Sequence, residues 1–109
     1  MAEIKKIEDL KSFDEFVNAE GLNVLKIGAD FCGPCRMLEG VIHGLSQEEV
    51  ENVALAEVDA EDEWFEDVAA EMKIRGIPVL IAYNNGEEKD RIVGGVSKET
   101  LISFFERNK

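Results

Sequence analysis

Between Asn23 and Leu45 the chain changes its hydrophobic period once, and that change limits the folds open to it. "NVLKIGA", residues 23–29, is an almost unbroken apolar run of strand length. Strands with that pattern are covered on both faces, as in the middle of a sheet. From Cys35 the spacing becomes helical, with Leu38, Val41, Ile42 and Leu45 on one face. Gly40 and Gly44 weaken this helix, and its pattern fades near Gln47. A buried strand that feeds an amphipathic helix points to an α/β architecture.

The alternation continues in both directions. "IKKI", residues 4–7, is a short strand candidate. "SFDEFVNAEG" reads as a helix with a Ser12/Glu15 capping box, a Phe13–Phe16–Val17 stripe and a stop at Gly21. "NVALAEVDA", residues 52–60, is the next strand, and Phe65, Val68, Ala69 and Met72 mark another helix face. "PVLIAY" and "RIVGG" flank "NNGEEKD", in which Asn85–Gly86 signals a type I′ hairpin. A last helix starts near Ser97, with Leu101, Phe104 and Phe105 on one side. The order βαβαβαββα predicts a mixed central sheet of about five strands with helices on both faces. A length of 109 residues, 45% of them apolar, fits one domain over 1–109.

Charge narrows the partners. Twelve Lys and Arg against 24 Asp and Glu leave a net charge of −12. Such a surface repels phosphate backbones and anionic lipid, so neither nucleic acid nor membrane is an expected partner. The N-terminal "MAEIKKIEDL" has no signal-peptide core, and the expected compartment is the cytoplasm.

The only two cysteines, Cys32 and Cys35, fall where the period changes. Three readings are open: a staple, a metal half-site and a working dithiol. Two residues between the cysteines close too short a ring to restrain much of the unfolded chain. A zinc site needs about four ligands. The only histidine, His43, is eight residues on and reads as an exposed surface residue, so no metal is expected. The chemical reading suits the local pattern. A strand ending at Phe31 and a helix beginning around Cys35 put Cys32 at a helix N-terminus, where the dipole favours a thiolate. Pro34 suits the first turn, and Gly33 leaves the sulfur approachable. Cys32 is then the exposed, attacking thiol, and Cys35, one turn into the helix, is covered and resolves the mixed disulfide.

With these residues in view, the chain resembles the thioredoxin family over nearly its whole length. "CGPC" on a strand–helix turn matches the family's active-site motif, and "IRGIPVL", residues 74–80, matches its segment with a cis-proline. "NNGE" and "VGGVSKETL" match its late hairpin and last helix. The resemblance implies a thioredoxin fold, Cys32 as nucleophile, Cys35 as resolving thiol and Pro78 as the cis-proline. The peptide of Ile77 would pair with an extended substrate strand, and Gly33, Pro34, Ile77, Pro78 and Gly94 would rim a shallow apolar groove. It further implies a monomeric cytoplasmic protein-disulfide reductase acting on disulfide-containing proteins. No cofactor would be bound, and electrons would come from a thioredoxin reductase fed by NADPH or ferredoxin. Two alternatives stand beside it: a dedicated thioredoxin-like carrier with its own reductase, and a non-catalytic binding module on the same fold.

The chain also departs from the family's pattern. Lys26 stands where members usually carry a buried Asp, and Glu57 stands where the adjacent strand usually carries a Lys. The double change reads as a charge swap: a largely buried Lys26–Glu57 ion pair beneath the cysteines, with Glu57 relaying protons to Cys35. In the other reading Lys26 snorkels out and Glu57 is solvated. Phe31 and Gly28 replace two frequent tryptophans, and Trp64, in the long "DAEDEWFED" segment, is conjectured to fold back over Gly28. Gly40 takes the place of a frequent helix-kinking proline.

Overall fold

Each periodic segment becomes an element in the computed structural model, which describes residues 3–109. In chain order these are β1 (Lys5–Lys6), α1 (Leu10–Asn18), β2 (Leu22–Gly28), α2 (Gly33–His43) and β3 (Val53–Asp59). A 3₁₀ turn (Glu63–Phe65), α3 (Glu66–Glu71), β4 (Val79–Asn84), β5 (Glu87–Val93) and α4 (Lys98–Asn108) follow. The five strands form one sheet in the order β1-β3-β2-β4-β5. β1, β3 and β2 run parallel, while β4 is antiparallel to both β2 and β5. The expected mixed sheet, element order and thioredoxin fold are all present.

The two-residue period of β2 sorts its side chains into two cores. Leu22 and Val24 join Leu38, Ile42 and Leu45 around α2, and Leu101, Phe104 and Phe105 of α4. Leu25 and Ile27 face Phe13 and Val17 of α1 and Phe65 of the 3₁₀ turn. Lys26 is in phase with Leu22 and Val24, so it points to the α2 side. Glu57 is in phase with Leu55 on that same side, and the two are register partners across β2 and β3.

Several boundaries differ from the sequence expectation, each for a local reason. Asp9, not Ser12, caps α1: its carboxylate accepts the Ser12 N–H at 2.8 Å, which holds its pKa below the ordinary value. The helix therefore starts earlier, and the expected capping box does not form. It stops at Asn18. Gly21, at φ +80°, instead turns the chain into β2 and donates its N–H to Asn85 Oδ1 at 2.9 Å. α2 begins at Gly33, runs through Gly40 as one helix and ends at His43, ahead of Gln47. β5 begins at Glu87 because the turn is only Asn85–Gly86, both left-handed as a type I′ turn requires. Ser97 caps α4 as expected.

The α1 cap can be tested by chemical denaturation. Asp9→Ala should lower the denaturant midpoint measurably, as the loss of a side-chain cap does. Ser12→Ala should cost clearly less, because Ser12 supplies the cap mainly through its backbone N–H. Equal losses would mean that the cap is shared between the two residues.

Candidate functional site

Cys32 occupies the N-cap of α2, with extended backbone (φ −93°, ψ 111°), and its Sγ accepts the Cys35 N–H at 3.2 Å. The two cysteines are joined in a disulfide with Cα atoms 5.1 Å apart. They differ in exposure: Cys35 is 2% exposed, and Cys32 is only partly covered. The first turn of α2 holds Pro34 and no acidic residue, so no carboxylate competes with the sulfur for the positive end of the helix. Nothing lies within 4 Å of where a Cβ on Gly33 would stand, so one side of the disulfide is open.

Sheet register brings the distant proline to the same end of the molecule. Val79 pairs with Ile27, one residue before Gly28, and Val93 pairs with Val79. Pro78 and Gly94 therefore sit at the sheet end where β2 meets α2. The Ile77–Pro78 bond is cis, as the resemblance implied. Pro78 is buried and its carbonyl accepts the Gly94 N–H at 2.7 Å. Gly94 has φ +96°, a conformation strained for any side chain. Ile77 is half-buried. Phe31 is 75% exposed, joined by two apolar residues that the sequence reading did not single out: Met37, at 74%, and Val93, at 65%. Their signal was faint, because a lone surface Met or Val is ordinary.

The charge swap is present, with an additional member. Lys26 Nζ lies 3.1 Å from Glu57 Oε2 and 2.8 Å from Glu39 Oε1. The Lys26 side chain is 4% exposed, Glu57 26% and Glu39 46%. The expectation of a largely buried pair thus holds for the lysine only; both carboxylates keep contact with water. Glu39 was not anticipated. Its signal was its position four residues after Cys35, on the same face of α2. The hydrogen bond from Lys26 holds the Glu39 carboxyl below the usual carboxylate range, against an opposing effect of burial. Lys26, Glu39, Glu57 and Gly28 line a cavity of about 50 Å³, enough for a water or so.

Gly28 joins this triad to the cysteines. A methyl added there would stand 3.1 Å from Cys35 Sγ and 3.5 Å from Lys26 Cε. The lysine stem and the covered sulfur are thus both neighbours of the same backbone point. Trp64 does not occupy this space, which corrects the conjecture. Its ring packs 6.0 Å from Phe13 and 5.4 Å from Phe65, and its Nε1 donates to Asp62 at 3.3 Å. His43 is exposed at the end of α2.

The triad gives two stability predictions. Glu57→Ala alone leaves Lys26 paired with Glu39 and should cost about 1–2 kcal/mol, whereas Glu39→Ala with Glu57→Ala strands a buried ammonium and should cost about 3–5 kcal/mol. In urea titrations the double loss should exceed the sum of the singles. The Glu39 contribution also has a sign in pH. A lowered folded-state pKa means that its stabilisation is full above the ordinary value of 4.5 and is lost as pH falls through the folded value. Between pH 6 and pH 3 the urea midpoint of Glu39→Gln should therefore fall less steeply than that of the parent.

Comparison with known proteins agrees with this geometry. The family model described as Thioredoxin matches residues 4–107. Thioredoxin of Equus caballus is 37% identical over 100 residues, covering 90% of this chain and 91% of that protein. Thioredoxin of Chlamydia caviae is 33% identical over 103 residues, covering 94% and 97%. The chloroplastic thioredoxin M5 of Oryza sativa is 32% identical over 102 residues, and the match spans 58% of that longer protein. Among solved structures, Malassezia sympodialis thioredoxin superposes with a TM-score of 0.85 at 22% identity, covering 99% of this chain and 92% of that one. A mutant thioredoxin of Halobacterium salinarum gives 0.84 at 25% identity, covering 97% and 90%. The chain belongs to the thioredoxin family, and its Cys32–Cys35 disulfide is the redox centre of a thiol–disulfide oxidoreductase.

Proposed function

We propose that the protein is a general cytoplasmic protein-disulfide reductase in which Cys32 attacks and Cys35 resolves. The observation that carries this reading is the asymmetry of the pair, with Cys32 partly exposed at the N-cap of α2 and Cys35 2% exposed beneath it. In the reduced protein the Cys32 thiolate attacks one sulfur of a substrate disulfide. That bond breaks, the other substrate sulfur leaves and takes a proton, and a mixed disulfide forms. Cys35 then loses its proton and attacks Cys32 Sγ. The Cys32–Cys35 bond forms, and the second substrate sulfur leaves as a thiol. Two electrons and two protons have passed to the substrate. A thioredoxin reductase, fed by NADPH or ferredoxin, returns the electrons.

Supporting residues divide the work. The substrate strand pairs with the Ile77 peptide beside Pro78, while Gly33, Pro34, Gly94 and Phe31 give it an apolar rim. The Lys26 ammonium favours the Cys35 thiolate by its charge. Glu57 takes and returns the Cys35 proton through water. The Lys26–Glu39–Glu57 arrangement also favours a second reading, a dedicated carrier whose reductase and partners are matched to its altered polarity.

Insulin reduction separates the readings. Turnover with both dithiothreitol and thioredoxin reductase supports the general reductase; turnover with dithiothreitol alone supports the dedicated carrier. No turnover with either overturns both. Cys35→Ser should accumulate the substrate mixed disulfide on Cys32, seen by mass spectrometry, whereas Cys32→Ser should not. Glu57→Gln should shift the pH profile of disulfide reduction, and an unchanged profile would remove the relay role.

A further inference from the structure

Two open grooves flank the redox centre. One lies between α2 and the turn after β5, where Met37, Val41 and Val96 line it without any charged side chain. The other, of about 370 Å³, lies between residues 73–76 and β5. Ile74, Val79 and Val93 supply its apolar part and Lys73, Arg75 and Arg91 its cations; no carboxylate lines it.

The three cations are not equivalent. Arg91 is committed within the fold: it donates to both oxygens of Glu88 at 2.7 and 2.8 Å and to the Met72 carbonyl at 3.1 Å. Lys73 and Arg75 are exposed, and neither makes an ion pair among the described residues. Lys73 is nonetheless held in place at its backbone. It sits at φ +58° and donates its N–H to the Ala70 carbonyl at 3.2 Å where α3 ends. In a chain of net charge −12, two unpaired cations beside an acid-free apolar groove invert the average character of the surface.

The groove adjoins the site along the chain and in sheet register. Gly76 precedes the cis Ile77–Pro78 bond, and Val93 pairs with Val79 and precedes Gly94. A segment that extends from the cis-proline past Gly76 and Val93 reaches this groove.

We propose that this groove docks an acidic–apolar segment next to the disulfide of the protein's partners. An apolar side chain packs on Ile74 and Val93, and an Asp or Glu pairs with Lys73 and Arg75. The proposal rests on the reductase reading and adds a substrate preference to it. Basic segments are disfavoured by like charge at the same place, so the groove selects as much by repulsion as by attraction. The uncharged groove on the α2 side imposes no such choice.

The test uses the intact protein and three peptides of equal length that differ only beside their disulfide: Glu-Leu-Glu, Gln-Leu-Gln or Lys-Leu-Lys. Reduction is followed with dithiothreitol as the regenerating reductant. The kcat/KM for the glutamate peptide should exceed that for the lysine peptide about fivefold, a size that two exposed ion pairs can supply. Lys73→Glu and Arg75→Glu should each shrink this ratio, and the double variant should bring it to one or below. Lys11→Glu, an equal charge change at an exposed position on α1, should retain it. A parent ratio of one or less, or an equal shift in Lys11→Glu, overturns the proposal. If no peptide is reduced, it is the reductase reading that fails. Docking is then read from equilibrium binding of the same peptides with serine for cysteine, where loss of the Glu-over-Lys order overturns it.

Discussion

The complete burial of β2 is the constraint on which the rest of the structure depends. The strand is hydrogen-bonded on one edge to β3 and on the other to β4, and it is covered on both faces. Each large aliphatic side chain hidden there contributes about 1.5–3 kcal/mol, so Leu22, Val24, Leu25 and Ile27 together hold the strand against displacement. Its C-terminal end is therefore a rigid platform. Gly28 closes that end, and the absence of a side chain there lets Cys35 Sγ approach closely. Antiparallel pairing of β4 returns Pro78 to the same end, and β5 brings Gly94 after it. The redox centre is placed by sheet register more than by the loop that contains it.

That platform carries a charge at its centre. An ammonium removed from water is costly, and attraction to one partner seldom repays the loss unless the remaining protons are also satisfied. Lys26 meets this condition with carboxylates from two different elements, Glu57 on β3 and Glu39 on α2. Both carboxylates remain partly wet, so they are less costly to keep ionised than the lysine is to bury. The polarity beneath Cys35 is thus the reverse of the family's usual carboxylate, with its counter-charges split between the neighbouring strand and the helix that carries the cysteines. Electrostatics there link the redox end of α2 to the sheet, beyond what apolar packing of Leu38 and Ile42 provides.

Element order was legible because burial imposes different periods on strands and helices. Boundaries were less so, since they depend on single side chains. Asp9 captured the free N–H of Ser12 and moved the start of α1, a choice between two capping residues that periodicity does not rank. The run Glu87–Asp90 is polar, yet it is strand because β5 lies at a sheet edge, where Glu87, Glu88 and Lys89 are exposed and Asp90 is paired with Arg107 and Asn108 of α4. The site was legible at the cysteines, Pro78 and the Lys26–Glu57 pair. Glu39 was not, because a glutamate on a helix ordinarily reads as a solvated face. Trp64 was misplaced for a related reason. A large amphipathic ring can cover several surfaces, and it settled on Phe13 and Phe65, while Cys35 and Lys26 adjoin Gly28.

The sequence by itself determined the chemistry and the order of elements. A dithiol at a strand–helix junction, a distant Ile-Pro and a lysine in a buried strand are local facts, set by period and residue type. Tertiary structure alone decided which groups meet across elements. It joined Glu39 to Lys26, left Lys73 and Arg75 without ion-pair partners among the described residues beside Val93, and turned Trp64 toward α1. These outcomes follow from register and from the seating of helices on the sheet, which are collective properties of the packed core, and no single segment encodes them.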